Sequence, residues 1–569
     1  MRTFFGSTSM AFLGLGHLVA SSTVPLQPRQ GNALQNCTTG FFDTAIGSIN
    51  TELKRTAKLA RGSPYTPATE PSNDPLYGGQ AVLYYAQFLD APDICGVRIN
   101  VTDNIAFELY LPSRTKWNRR FLTIGNGGFD GNTSRYDMFS RAVHNWATMS
   151  TNTGHDVSGL AWAQNQKDLQ IDWAWRVMNV SLPYAKAIVK AYYEGVPKRA
   201  DYYSGCSTGG RQGIRQIEAD PTSFDAMLIG SPAWGVKSAM PILSRIGWLA
   251  ETYGFQNTPT DPDVTVRVAA HVFNKCNELD GSTTDLVIRD IPKCYDLFRN
   301  SSTNEALWNG TNTSISQRRA FLTIIEEFKT PPENTTYAGD GFDITSIADM
   351  TVGGFLQDSV QNGGFTQQFA QYFLNKPGLV WDNDVHGKWL LGNASDGDND
   401  VRANASPALL NTLYKGKVIM YTGTADGWVS SHGTRRAFDL AGGTSNDRLA
   451  YFEIPSMSHC VLLGSALAYN PPWYIGGTGL GLVYPNSVIY MPNNTRLVDP
   501  KHDALMALVD WHEGNNAPER LTATAFNVTS FGPSTLQIVK QRPICRAPKV
   551  QTLVRMDVDV NTEAAWDCR

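Results

Sequence analysis

Ser207 lies in Gly205-Cys206-Ser207-Thr208-Gly209, and His459 lies in Ser458-His459-Cys460. A serine hydroxyl is a weak nucleophile at neutral pH unless a base removes its proton. A histidine, with an ordinary pKa near ~6.5, can accept that proton and return it to a leaving group. One cysteine directly precedes the serine and another directly follows the histidine, so a disulfide between Cys206 and Cys460 would carry nucleophile and base together. Asp426, in Thr424-Ala425-Asp426-Gly427, is the candidate third member, holding the imidazole tautomer and offsetting its charge. A tetrahedral oxyanion would need donors. The N–H of Thr208 is the first, and Gly127 or Gly128, in Ile124-Gly-Asn-Gly-Gly-Phe129, would supply the second. Competing readings exist for several of these residues. Asp-Gly is also a turn signal, although Asp439 and Asp447 lack a place just after a strand. His155, His432, His502 and His512 read as core or surface histidines, with His155 the one that could approach the site from a strand end.

The elements that must position these groups are legible as periodic runs. Val97 to Val101 and Ala106 to Tyr110 alternate with period two, and Arg120 to Ile124 and Trp146 to Thr151 are short apolar runs. The segment 173–193 has helical spacing, with a break expected at Pro183. Asp201 to Ser204 reads as a strand, 205–210 as a tight turn, 211–219 as a helix, and Phe224 to Ile229 as a buried strand. Strand, turn, helix, strand is the unit of a parallel α/β sheet. The pattern returns at 417–421, ending before Asp426, and at 448–454, ending before His459. The order Ser207, Asp426, His459, with both later members just past strand ends, is that of an α/β-hydrolase. The fold class is therefore α/β, an α/β-hydrolase fold with a large inserted lid domain. The catalytic domain is expected over 23–234 and 411–569. The insertion is expected over 235–410, where the βα pattern lapses apart from helical pieces near 264–276 and 315–327.

With 42% hydrophobic and 18% charged residues and a net charge of -4, the chain gives no electrostatic reason to expect nucleic acid or membrane as a partner. Residues 1–22 read as a secretory signal: Arg2, an apolar run from Met10 to Val19, then Ala20-Ser21-Ser22. Twelve Asn-x-Ser/Thr acceptors, four of them at Asn300, Asn309, Asn312 and Asn334, and an even count of 8 cysteines also fit an exported, extracellular protein. Eight cysteines allow 105 pairings. Proximity favours Cys276 with Cys294 and Cys545 with Cys568. Cys37 with Cys95 would staple the N-terminal segment, which leaves Cys206 for Cys460. Triad chemistry alone would serve an amide as well as an ester.

Trp117-Asn118-Arg-Arg-Phe121, Gly125-Asn-Gly-Gly-Phe129, Ser150-Thr-Asn-Thr-Gly-His155, Gly205-Cys-Ser-Thr-Gly-Gly-Arg-Gln-Gly213, His459-Cys460 and Asp510-Trp-His-Glu-Gly514 together resemble the tannase and feruloyl esterase family. The resemblance implies a disulfide joining the residues beside nucleophile and base. It also implies hydrolysis of phenolic esters, on plant polysaccharide or as small esters, through an acyl-enzyme, and it lies closer to the feruloyl branch. The alternatives are a tannase cleaving galloyl esters and a non-catalytic secreted binding protein. The resemblance further implies a structural calcium in the insertion, with Asn277, Asp280, Ser282, Asp285 and Val287 at the ligand positions. This loop carries Asn277 where the family has Asp, one inserted residue and no second glycine, so it offers fewer carboxylate charges. After Cys460 the family has glycines, whereas this chain has Val461-Leu-Leu-Gly464, which reshapes the pocket wall beside the base.

Overall fold

The apolar runs become a nine-stranded sheet with strand order β1-β2-β3-β5-β4-β6-β7-β8-β9 in the computed structural model. The structure describes residues 34, 36–65, 93–279, 285, 287–326, 341–352, 355–356, 364–379, 401–460, 473–477, 497–526 and 538–569. The signal segment and the 461–472 stretch lie outside them, as do Asp280, Ser282 and the acceptors Asn334, Asn393, Asn493 and Asn527. The strands are β1 (Lys58–Tyr65), β2 (Ile94–Asn100), β3 (Ala106–Pro112), β4 (Arg120–Ile124), β5 (Ala147–Thr151), β6 (Ala200–Cys206), β7 (Ala226–Gly230), β8 (Lys417–Gly423) and β9 (Leu449–Ile454). β1, β2, β3 and β5 pair antiparallel in turn. From β5 through β4, β6, β7 and β8 to β9 every pairing is parallel. Parallel strands buried on both faces need continuous apolar runs rather than alternation, which is why β6 and β7 contain no exposed position.

One face of the sheet is covered by helices Arg135–Ala142 and Ala504–Gly514, and the other by Thr39–Leu53, Val177–Tyr192, Thr208–Ala219 and Ser431–Leu440. The helix expected to break at Pro183 runs unbroken from Val177 to Tyr192, preceded by a π-turn at Asp172–Arg176. Proline removes one helical hydrogen bond, and the burial of Leu182, Tyr184, Ala185 and Ile188 against the sheet outweighs that loss.

Residues 231–416 intervene between the adjacent strands β7 and β8. They carry helices at Val236–Thr252, Val264–Asn277, Ile291–Phe298, Ile315–Ile325 and Ile347–Val352. Their core is a separate apolar cluster that also takes in Phe129, Leu160, Trp162 and Trp173 from the first half of the chain. Beyond the main sheet, β10 (Trp473–Tyr474), β11 (Arg520–Phe526) and β12 (Ile538–Cys545) form a three-stranded sheet, and β13 (Gln551–Leu553) pairs with β14 (Trp566–Cys568). The disulfides are Cys37–Cys95, Cys206–Cys460, Cys276–Cys294 and Cys545–Cys568. Among the described residues, no helix is long and apolar enough to cross a membrane.

Candidate active site

At the end of β6 the chain reverses into helix Thr208–Ala219, and Ser207 occupies the turn at φ 60°, ψ −126°. A non-glycine residue held there costs about 1–3 kcal/mol, a strain that only a tightly determined surrounding can sustain. That surrounding is visible. A Cβ on Gly205 would lie 2.6 Å from the Gly209 backbone, and one on Gly209 would lie 3.0 Å from the Asn126 carbonyl oxygen, so larger side chains cannot enter. The Ser207 N–H donates to the Gly230 carbonyl at 3.0 Å, and the Ser207 carbonyl accepts from Ala233 N–H at 3.0 Å. Thr208 begins the helix, so its N–H has no helical acceptor and sits at the positive end of the helix dipole.

The loop after β4 is fixed at its base. Gly125 N–H donates to the Ser204 carbonyl at 3.0 Å, and Asn126 N–H to Gln212 Oε1 at 2.9 Å. The Asn126 side chain donates to the Thr151 carbonyl at 2.7 Å. Among the described residues nothing accepts from the N–H groups of Gly127, Gly128 or Thr208, the three expected oxyanion donors. Phe129, next in the loop, stacks on Trp173 at 4.5 Å. His155 lies beneath this loop, its Nε2 3.1 Å from Thr153 Oγ1 and its ring stacked on Trp162 at 4.0 Å. Burial pushes its pKa down to about 4. It is a neutral packing group rather than a base.

Asp426 is fully buried three residues beyond the end of β8, where its Oδ1 accepts from the N–H of Trp428 at 3.0 Å and of Val429 at 2.8 Å. Both carboxylate oxygens also accept from His459 Nδ1, at 3.0 and 2.9 Å. That bond keeps the proton on Nδ1 and leaves Nε2 as the basic nitrogen. β9 stands three strand spacings from β6, about 14 Å at ~4.8 Å each, so the base must be carried back across the sheet edge. Residues 455–460 do this. They pass over the end of β8, where Ala425 N–H donates to the Met457 carbonyl at 2.9 Å and Ser456 N–H to Thr424 Oγ1 at 2.9 Å. The crossing ends at the Cys206–Cys460 bond, whose Cα atoms are 5.9 Å apart. Ser207 and His459 flank that bridge. Burial of His459 disfavours its imidazolium, but the charge and hydrogen bond of Asp426, with the charge of Asp349, outweigh this and hold its pKa above the ordinary value.

Sequence reasoning missed three supporting residues. Gln212 secures the oxyanion loop, and its only signal was its place in the Gly-Arg-Gln-Gly run. Trp428 lies parallel to the His459 ring at 5.7 Å. Asp349, buried in the region between β7 and β8, accepts from the backbone beside both Asp426 and His459. It lies far from either in sequence and carries no motif.

At the expected calcium loop, Asn277, Asp285 and Val287 are buried and described. Asp285 Oδ2 accepts from the buried Arg542 guanidinium at 2.8 Å, and Lys540 Nζ donates to the Asp285 carbonyl. Burial pushes the Lys540 ammonium down to about 8. A carboxylate matched by a guanidinium, with an ammonium alongside, does not fit the role of a dication ligand.

A strained serine turn after a central parallel strand, with a buried Asp–His pair carried to it from the next strand ends, defines a serine hydrolase of the α/β-hydrolase fold. Residues 95–377 match the family described as "Tannase and feruloyl esterase". The chain belongs to that family, whose members are carboxylic ester hydrolases. A probable feruloyl esterase B-2 of Aspergillus flavus is 28% identical over 76% of this chain and 80% of its own. A probable feruloyl esterase B-1 of Neosartorya fischeri is 26% identical over 93% and 94%. The crystal structure of feruloyl esterase B from Aspergillus oryzae superposes with a TM-score of 0.72 at 22% identity, covering 93% of this chain and 100% of that one. Tannin acyl hydrolase from Aspergillus niger superposes with a TM-score of 0.64 at 16% identity, over 94% and 95%. These two likenesses show the fold.

Proposed function

We propose that the protein is a secreted esterase that cleaves hydroxycinnamoyl esters of the feruloyl type, attached to plant cell-wall polysaccharide or to small alcohols. The observation that carries the reading is the Cys206–Cys460 bridge, which joins the strained serine turn to a histidine already paired with a buried aspartate. In the reaction, His459 Nε2 takes the Ser207 hydroxyl proton as Oγ attacks the ester carbonyl. The N–H groups of Thr208 and of Gly127 or Gly128 receive the oxyanion. Collapse breaks the bond to the alcohol, which leaves with the proton from His459. Water, deprotonated by the same nitrogen, then releases the acid and restores Ser207.

For the acyl group the support is aromatic. Rings run from Trp428, beside His459, through Phe355 and Phe365 to Phe129 in the oxyanion loop, with successive centroids 5.1, 6.3 and 5.6 Å apart. An apolar cavity lined by Pro232, Ala233, Trp234, Phe342, Trp428 and Val429 opens beside the nucleophile turn. Flat apolar walls of this kind suit a phenylpropenoyl ring. The names of the curated relatives point the same way. The test is kcat/KM on methyl ferulate, caffeate, p-coumarate, sinapate and gallate. The cinnamoyl esters are expected to exceed methyl gallate by about tenfold or more, the discrimination that one or two pocket contacts can give. A preference for gallate would make the protein a tannase instead.

Residues 235–410 are proposed as the cap over this site. Secretion and glycosylation are part of the same reading, and Asn100, Asn132, Asn300, Asn309 and Asn312 are exposed as glycan acceptors need to be. The calcium that the family resemblance implies enters only as a structural ion, with Asn277, Asp280 and the Ser282 and Val287 carbonyls as the donors left to hold it once Asp285 is paired with Arg542. No step of the reaction runs through it. EDTA is then expected to lower Tm while leaving kcat unchanged well below Tm. An unchanged Tm would remove the ion, with the Asp285–Arg542 pair as the loop's own charge balance.

A further inference from the structure

We propose that Asp349 is a positioning residue for the ester hydrolysis, a single carboxylate that fixes the acid loop and the base loop against each other; the assignment rests on the serine-esterase reading above. Its Oδ2 accepts from Gly427 N–H, the residue after Asp426, at 2.9 Å, and from His459 N–H at 3.2 Å. His459 and the residue after Asp426 are thus tied to one atom. Asp349 is 1% exposed, on the short helix Ile347–Val352, and the residues just before that helix are bonded to the acid loop and to the start of helix Ser431–Leu440. Thr345 Oγ1 donates to the Thr424 carbonyl at 3.0 Å, Ser431 Oγ donates to Asp343, and His432 Nε2 lies 3.0 Å from the same carboxylate. A Cβ on Gly427 would lie 2.5 Å from the Met350 backbone nitrogen, so the Asp-Gly pair at 426–427 is a contact as much as a turn.

The titratable groups that face Asp349 are Asp426 and His459. Helix Val264–Asn277, packed on its other side, directs Arg267 to Asp261, His271 to the Leu307 carbonyl and Lys275 to Glu278. Burial, and then the charge of Asp426, push the Asp349 pKa up to about 7, against the two N–H bonds that lower it. When ionised, Asp349 adds a second negative charge beside the imidazolium and so resists loss of the His459 proton. Removing that charge should make His459 a free base at lower pH.

The test compares wild type, Asp349→Asn, Asp349→Ala and Ser207→Ala on a p-nitrophenyl ester across pH. Asp349→Asn keeps a carbonyl acceptor and is expected to lower kcat by less than about tenfold while moving the acid limb of kcat/KM down by about half a unit or more. Asp349→Ala leaves two N–H groups without their acceptor and is expected to lower kcat by about 30-fold with KM within about twofold, as a misplaced base does. Coincident acid limbs for wild type and Asp349→Asn would overturn the proposal, as would full kcat in Asp349→Ala. If the alanine variant does not fold, the asparagine profile decides alone. Wild-type turnover that survives in Ser207→Ala would instead overturn the esterase assignment, and the positioning role with it.

Discussion

Ser207→Ala is expected to lower kcat/KM on a hydroxycinnamoyl ester by about 10⁶-fold, while substrate still binds. The size follows from what remains. The Thr208 and Gly127 or Gly128 donors and the aromatic walls still hold the ester, and a triad stripped of its nucleophile retains about 10³–10⁴ over water from such features alone. Asp426→Asn is expected to cost less, about 10⁴-fold, by a different route. Its Oδ1 can still accept from Trp428 and Val429, so the loop stands. The amide, however, no longer requires the proton on His459 Nδ1, and it cancels the charge that offsets the imidazolium. Because the three residues act as one unit, Ser207→Ala combined with His459→Ala should be no slower than either alone. Steady-state rates on methyl ferulate, with binding followed by fluorescence quenching, check both points. Penalties that multiply would mean that the residues act separately and would break the mechanism.

The parts of this site that sequence showed are those whose cause is local. Gly205 and Gly209 announce a turn because two backbones meet there, and β6, β7, β8 and β9 announce themselves because strands buried on both faces must be apolar throughout. Asp426 was legible from its place beyond one such strand. What stayed hidden depends on contacts made at long range. Asp349 is polar in a buried helix, and only the folded crossing of residues 455–460 shows that its carboxylate meets His459. Helix Val236–Thr252 carries Pro241 and Gly247 within it, which masks its period, and helix Ile347–Val352 is too short to show one. Pro183 misled in the opposite sense, because packing on the sheet outweighed a local rule. Asp285 falls at a ligand position that the family resemblance implies, yet Arg542 arrives from β12, far along the chain, to pair with its carboxylate, and Lys540 bonds its carbonyl.

The Cys206→Ala, Cys460→Ala double variant is expected to lose about 100-fold or more in kcat while remaining folded, because the bridge holds geometry that the chain does not otherwise favour. Ser207, next to one end of the bond, and Cys460, its other end, are both non-glycine residues on the left-handed side, at φ 60° and 61°. Each such residue stores about 1–3 kcal/mol that is released if its surroundings relax. The base also reaches the serine only after crossing back over β8, and the bond is the last tie on that crossing. A shift of about 1 Å between nucleophile and base is enough for a loss near 100-fold. Global stability is a separate matter. Closing a loop with a sequence separation of 254 would add at most about 5 kcal/mol in the chain-entropy model, spread over a protein whose sheet and apolar clusters remain in place. Activity should therefore fall at temperatures where circular dichroism still reports native structure, and mild reduction of the wild type should do the same ahead of its thermal transition. A double variant with wild-type kcat would show that the Asp426–His459 bond and the Asp349 contacts hold the base without help, and that the bridge serves stability alone.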